Sequence, residues 1–239
     1  HIDTGYLDEV FRGMSEICSE FEVVLAGGDT TGSPGPLMIN ITMTGFSDME
    51  SFKSRSGARP GDIVQVSGNL GGSAAGFELL ESGKDNPLEF NDLIQAHLNP
   101  YPRVQVGLAL SSIRGVSSMI DLSDGLLQDL GHICNQSQTG AKLFAERIPQ
   151  FDSGLIFRQG NIRAALKDAV TGGEDYELCW TVHPEDALAA LEVAKQSGSA
   201  HARTIGEITS SGKVELLLNG RALHFDKSGW DHFTEEDRP

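Results

Sequence analysis

The sequence predicts an α+β fold, and three observations lead there. Leu7, Val10, Phe11, Met14, Ile17, Cys18 and Phe21 recur at helical spacing and mark an amphipathic helix. Leu37, Ile39, Ile41 and Met43 alternate with Asn40, Thr42 and Thr44, the period-two pattern of a half-buried strand. Beyond them, strand and helix patterns mix without the strict βαβ rhythm of a doubly wound parallel sheet.

Taken in order, residues 22–26 read as a short buried strand that runs into Gly27-Gly28-Asp29-Thr30-Thr31. Residues 47–60 are polar and broken by glycine and proline, as a connection between domains would be. A strand follows at 62–66, a glycine-rich turn at 68–72, and a helix at 73–81 with Ser73 as its candidate N-cap. Two helices flank Pro100-Tyr101-Pro102, where proline enforces a break. Residues 118–122 form a strand ending in acids, and Leu126, Leu127, Leu130 and Ile133 supply the buried stripe of the next helix. After Pro149 a looser stretch leads to a strand at 176–182, then a helix at 184–196 with proline in its first turn. Strands at 204–208 and 214–218 complete the sheet. No internal repeat or low-complexity tract interrupts the pattern.

Bulk properties narrow the function classes. The 239 residues carry 34 acidic and 18 basic side chains, a formal net charge of −16. A field that negative repels nucleic-acid backbones. It also demands local neutralisation of any anionic substrate, for which bound metal ions are the natural means. Cys18, Cys134 and Cys179 are far apart with no CxxC pair, so the sequence predicts reduced thiols rather than a zinc site or disulfides. No apolar run approaches the roughly 18 residues of a membrane span. A cytoplasmic protein is expected.

Four clusters have the chemistry of a site. Gly27-Gly28-Asp29-Thr30-Thr31 sets glycines that admit an anion to the backbone beside a carboxylate that can hold a hard cation; a tight turn with an Asx cap explains it equally well. Asp121-Leu122-Ser123-Asp124-Gly125 puts two carboxylates three residues apart at a strand-to-helix junction, suited to sharing one metal or binding two. The competing reading is that Ser123 or Asp124 merely caps the helix, which explains one acid well and two poorly. Gly172-Gly173-Glu174-Asp175-Tyr176-Glu177 crowds three acids after a glycine pair, a density that calls for a cationic partner unless the turn is simply solvated. In Arg55-Ser56-Gly57-Ala58-Arg59-Pro60-Gly61-Asp62, either arginine is placed to grip a phosphate or to remain a surface charge.

Several motifs are absent. There is no G-x-x-x-x-G-K-[ST] loop, the G-x-G-x-x-G spacing fails at Gly68-Asn69-Leu70-Gly71-Gly72, and no G-x-S-x-G elbow occurs. The histidines are scattered, with no H-x-x-x-H pair, and read as ordinary surface or core residues.

Together the clusters resemble one family. G-G-D-T-T at Gly27, R-S-G-A-x-P-G-D at Arg55, I-D-L-S-D-G-L at Ile120, G-G-E-D-Y-E-L at Gly172 and G-W-D-H-F at Gly229 occur in the order seen in thiamine-monophosphate kinases. Parts of the pattern are shared with aminoimidazole ribonucleotide synthetase and selenophosphate synthetase; the last two motifs point to the thiamine branch. The resemblance implies two α/β domains of aminoimidazole-ribonucleotide-synthetase type. Residues 1–50 would be the remainder of an N-terminal ATP-binding and dimerising domain, 51–60 a linker and 61–239 the C-terminal α/β domain. It further implies ATP contacts at Gly28, Arg55 and Ser123, Mg2+ ligands at Asp29, Asp121 and Asp124, and thiamine-substrate contacts at Glu174 and Trp230. Family motifs that precede this point (G-D-D-A, G-x-H-F and an N-L-S-D-L-A-A-M-G helix) do not occur here, so the N-terminal domain is expected to be incomplete and the chain alone inactive.

The implied reaction is Mg2+-dependent transfer of the ATP γ-phosphate to thiamine monophosphate, giving thiamine diphosphate and ADP, in a homodimer of the full-length protein. No catalytic side chain is expected beyond metal binding and positioning. Two other classes stay open: a different ATP-dependent enzyme of the same superfamily, and a non-catalytic Mg-nucleotide binding fragment.

Overall fold

The computed structural model describes residues 3–83 and 88–230, which divide into two compact units, residues 1–47 and 48–239. In the first, α1 (Thr4–Glu20) forms where the apolar periodicity predicts it, with the Asp3 carboxylate accepting from Gly5 N at 3.2 Å as its N-cap. The strands expected at 22–26 and 37–44 are absent: no ladder forms among the described residues of this unit. Val24, Met38, Ile41 and Met43 are exposed. An alternating pattern prepares a strand to pair, but the ladder's hydrogen bonds need a second strand, and none lies alongside.

The second unit is built on a seven-stranded sheet. Its strands are β1 (Ile63–Val66), β2 (Val116–Asp121), β3 (Gly140–Phe144), β4 (Leu178–Val182), β5 (Arg203–Thr209), β6 (Val214–Leu218) and β7 (Arg221–Leu223). The order is β2-β4-β1-β5-β3-β6-β7, antiparallel throughout except for β3 with β6. The mixed topology bears out the α+β expectation.

Strand alternation sends side chains to two cores. On one face Val64, Val66, Ile120 and Cys179 pack with α5 (Leu126–Ser137) and α7 (Ile162–Thr171). On the other, Val116, Trp180 and Val182 pack with α4 (Val104–Ser111) and α8 (Ala187–Gln196). Trp180 is fully buried and its indole N–H donates to Gln65 Oε1 at 2.9 Å, so its one polar atom is satisfied. A third cluster joins α2 (Gly72–Glu81), α3 (Asn91–Leu98) and α6 (Asp152–Phe157). Arg158 ties α6 to its neighbours, donating to Asp168 and Glu78.

Two local expectations fail. The stretch after Pro149 holds two helices, α6 and α7, not a loose connection; Asn161 caps α7 by accepting from Ala164 N, and Ala165, Leu166, Ala169 and Val170 are its buried stripe. Ser73 does not cap α2, whose N-cap is Gly71. No helix among the described residues is long and apolar enough to cross a membrane.

Candidate active site

Three chain segments converge at one edge of the second unit. Leu122 N donates to Glu177 O, Tyr176 N to Leu122 O and Glu174 N to Ser123 O, zipping the loop after β2 to the loop before β4. The tail then joins, with Trp230 N donating to Asp124 O and Gln128 Nε2 to Trp230 O. Glycine makes this closeness possible. A Cβ on Gly173 would sit 2.6 Å from Ser123 O, and one on Gly229 2.5 Å from Asp124 O.

The convergence opens a cleft of about 1350 Å³. Ser123, Asp124, Glu174 and Trp230, drawn from three separate motifs, all line it. Trp230 is 61% exposed, the opposite of Trp180. Arg163, Lys167 and Lys227 add positive charge to the walls of a strongly acidic chain, and His97, Phe77 and Tyr176 add aromatic surface. These the sequence reading missed. Arg163 and Lys167 stand four residues apart on α7, so recognising that helix would have put both on one face.

Each acid of the two loops has its own role. Asp129 is buried, and its Oδ2 accepts from Ser123, Asp124 and Gly125 N–H at 3.0–3.1 Å. It is therefore Asp129 that satisfies the free N–H groups ahead of α5, while neither Ser123 nor Asp124 caps the helix. Burial raises the Asp129 carboxyl above its usual range, and the nearby Asp124 and Asp121 charges add to that against the backbone donors. Asp124 accepts only a long bond from Gln128 Nε2, 3.4 Å, and faces the cleft. Asp121 ends β2 and is exposed.

In the second loop, Glu177 is buried against Arg103, which donates to both carboxylate oxygens at 2.6 and 2.9 Å, and Ser67 donates to it as well. Asp175 is partly buried against the start of α2, where Gly71 N and Ser73 N donate to it. Glu174 alone points out, its Oε2 3.7 Å from His97 Nδ1. Like charges thus coexist because two of three are matched to internal donors, which neither a solvated turn nor a shared cation would require.

Asp124, Asp129 and His132 form the one group among the described residues whose carboxylate and imidazole atoms all lie within 4.8 Å of one another. His132 is thus less isolated than its place in the sequence suggests. Of the remaining expected residues, none is among those that line the cleft. Arg55 is exposed in the second unit and does not line it. Gly28 and Asp29 are exposed in the first unit, where Asp29 Oδ1 accepts from Thr30 N at 2.9 Å. Of the final G-W-D-H-F motif, Asp231, His232 and Phe233 fall outside the described residues.

The chain is similar to known proteins in both sequence and structure. Residues 59–219 match the family model of AIR synthase related protein, C-terminal domain, and residues 1–47 the corresponding N-terminal domain. A thiamine-monophosphate kinase of Escherichia coli (strain K12) is 37% identical over 241 residues, spanning 97% of this chain and 70% of the relative. Among solved structures, the thiamine-monophosphate kinase from Stenotrophomonas maltophilia K279a shares 31% identity with a TM-score of 0.63, covering 72% of this chain and 54% of that one. AaThiL complexed with AMPPCP and TMP shares 25% identity with a TM-score of 0.75, covering 97% of this chain and 70% of that one.

Proposed function

The chain belongs to the thiamine-monophosphate kinase family, and we propose that its cleft is the substrate wall of a site that transfers the ATP γ-phosphate directly to thiamine monophosphate. The observation that carries this reading is the convergence of Ser123, Asp124, Glu174 and Trp230 on one open space, walled by cationic and aromatic side chains.

The acceptor explains the missing base. A phosphate monoester has a second pKa of about 6, so near neutrality it is already a dianion and needs no proton removed. What the site must do is bring two polyanions together in line and neutralise them. Arg163, Lys167 and Lys227 supply fixed positive charge along the cleft. Trp230 offers an indole face to the cationic thiazolium, and Glu174 a carboxylate of opposite charge. Ser123 faces the same space and is the nucleotide contact of this wall.

Mg2+ fits the donor set: Asp124 is not used as a cap, faces the cleft, and offers hard oxygen ligands. Asp121 would add a further oxygen ligand; when bound, the ion would neutralise charge on the transferred group. A homodimeric, cytoplasmic enzyme is part of the same reading. The decisive experiment is coupled ADP release by full-length protein with thiamine monophosphate, aminoimidazole ribonucleotide or no acceptor. Release that depends on thiamine monophosphate and Mg2+ is expected. Equal release with the other acceptors, or nucleotide binding without turnover, would overturn the proposal.

A further inference from the structure

Asp175 lies between two residues of the cleft wall yet does not line the cleft itself. Its Oδ2 accepts from Gly71 N at 2.8 Å and its Oδ1 from Ser73 N at 3.3 Å. Those are otherwise unpaired donors at the start of α2, so a carboxylate from the distant 172–177 loop supplies the cap that no local side chain provides. The helix start is itself held firmly. Gly71 has φ 83°, and a Cβ there would lie 2.6 Å from Ala169 N, so the turn is pressed on the α7 backbone.

The residues flanking Asp175 are strained. Glu174 has φ 64° and Tyr176 φ 50°, left-handed values that cost a non-glycine residue about 1 kcal/mol or more. Such a conformation persists only where the surroundings fix it. Glu174 N and Tyr176 N are fixed by Ser123 O and Leu122 O at 2.8 and 2.9 Å. Between them, Asp175 is the side-chain bolt to α2. Through Ser73 the contact continues to the cleft, since Ser73 Oγ lies 2.9 Å from His97 Nδ1, the ring beside Glu174.

We propose that Asp175 is a positioning residue: by capping α2 it locks the 172–177 loop in the strained conformation that presents Glu174 to the thiamine substrate. It touches neither ligand. The inference rests on the reading of Glu174 as a substrate contact, and the test separates the two.

In full-length protein, Asp175→Ala should raise KM for thiamine monophosphate about tenfold while KM for ATP stays within about twofold. With Glu174→Ala already present, Asp175→Ala should add less than about twofold, because residues acting as one unit are not additive. Amide exchange at Glu174 and Tyr176 in ligand-free protein should quicken. Asp175→Asn keeps one acceptor oxygen and should change each quantity less, in the same direction; it also serves if the alanine variant does not fold. Unchanged amide exchange at both positions, or an equal KM increase with and without Glu174, overturns the proposal. If Glu174→Ala alone leaves KM unaltered, the substrate reading fails instead, and amide exchange still decides whether Asp175 holds the loop.

Discussion

The loop after β2 and the loop before β4 look alike in sequence, each a glycine-bearing run thick with acids. In the folded protein each divides its carboxylates the same way. One seals the start of a helix: Asp129 on the N–H groups ahead of α5, Asp175 on those of α2. Another faces the cleft: Asp124 in the first loop, Glu174 in the second. The difference lies in the third acid. Glu177 is neutralised inside by Arg103, whereas Asp121 remains exposed at the end of its strand. The third acid of the second loop is therefore matched inside the protein, and that of the first is not. Both of these helix starts are already sealed by carboxylates.

The largest expected effect separates the free acid from the buried one. Asp124→Asn in full-length protein should reduce turnover by at least about a thousandfold, roughly 4 kcal/mol of transition-state stabilisation, with Tm nearly unchanged. Activity that survives at ordinary Mg2+ would remove Asp124 from the site. The two tryptophans extend the same contrast. Trp180→Ala should cost about 3–5 kcal/mol of stability in chemical denaturation, because it empties a sealed core and strands Gln65. A loss under about 1 kcal/mol would show that this core relaxes freely.

A pH series sharpens the picture of Asp175. Its carboxyl is pushed from 3.8 up to about 7, first by burial and then by the Glu177 and Asp168 charges, against the two backbone donors. The folded state therefore holds this proton more tightly than the unfolded chain does. That contribution to stability is full below about pH 4 and is lost as pH rises toward 7, at most roughly 4 kcal/mol. Denaturation midpoints measured across this window should fall with pH, and Asp175→Asn should flatten the slope. An identical slope in the variant would assign it to other groups.

Asp129→Ala should cost about 2–3 kcal/mol, since three N–H groups, that of buried Gly125 among them, lose their acceptor. Calorimetry showing no change would mean that water replaces the carboxylate. The smallest effect belongs to the exposed ring. Trp230→Ala should weaken thiamine monophosphate binding by several-fold to about thirtyfold, in keeping with about 0.5–2 kcal/mol for a cation over an indole. Titration calorimetry should find ATP affinity and Tm unaltered; equal losses for both ligands would make Trp230 a packing residue.

The sequence by itself determined what is local. Short apolar runs bounded by glycine, proline and polar residues located β1, β2, β4, β5 and β6, and the apolar stripe of α5 was legible because Leu126, Leu130 and Ile133 repeat at helical spacing. Motif order marked Ser123, Asp124, Glu174 and Trp230, all of which line the cleft. It also separated the two tryptophans, one in a buried strand and one after a glycine. What only the tertiary structure decided is which partner each group finds. Residues 37–44 carry a strand pattern yet form no ladder, since a ladder is a property of two strands. The small, alanine-rich stripe of α7 gave a weak pattern, and with that helix Arg163 and Lys167 went unseen. In sequence Asp129 is an acid in the first turn of a helix and Asp175 one of three in an acidic run, with nothing to mark either as a cap. Their roles as helix caps depend on backbone donors that folding carries to them, in the case of Asp175 from about a hundred residues away in the chain.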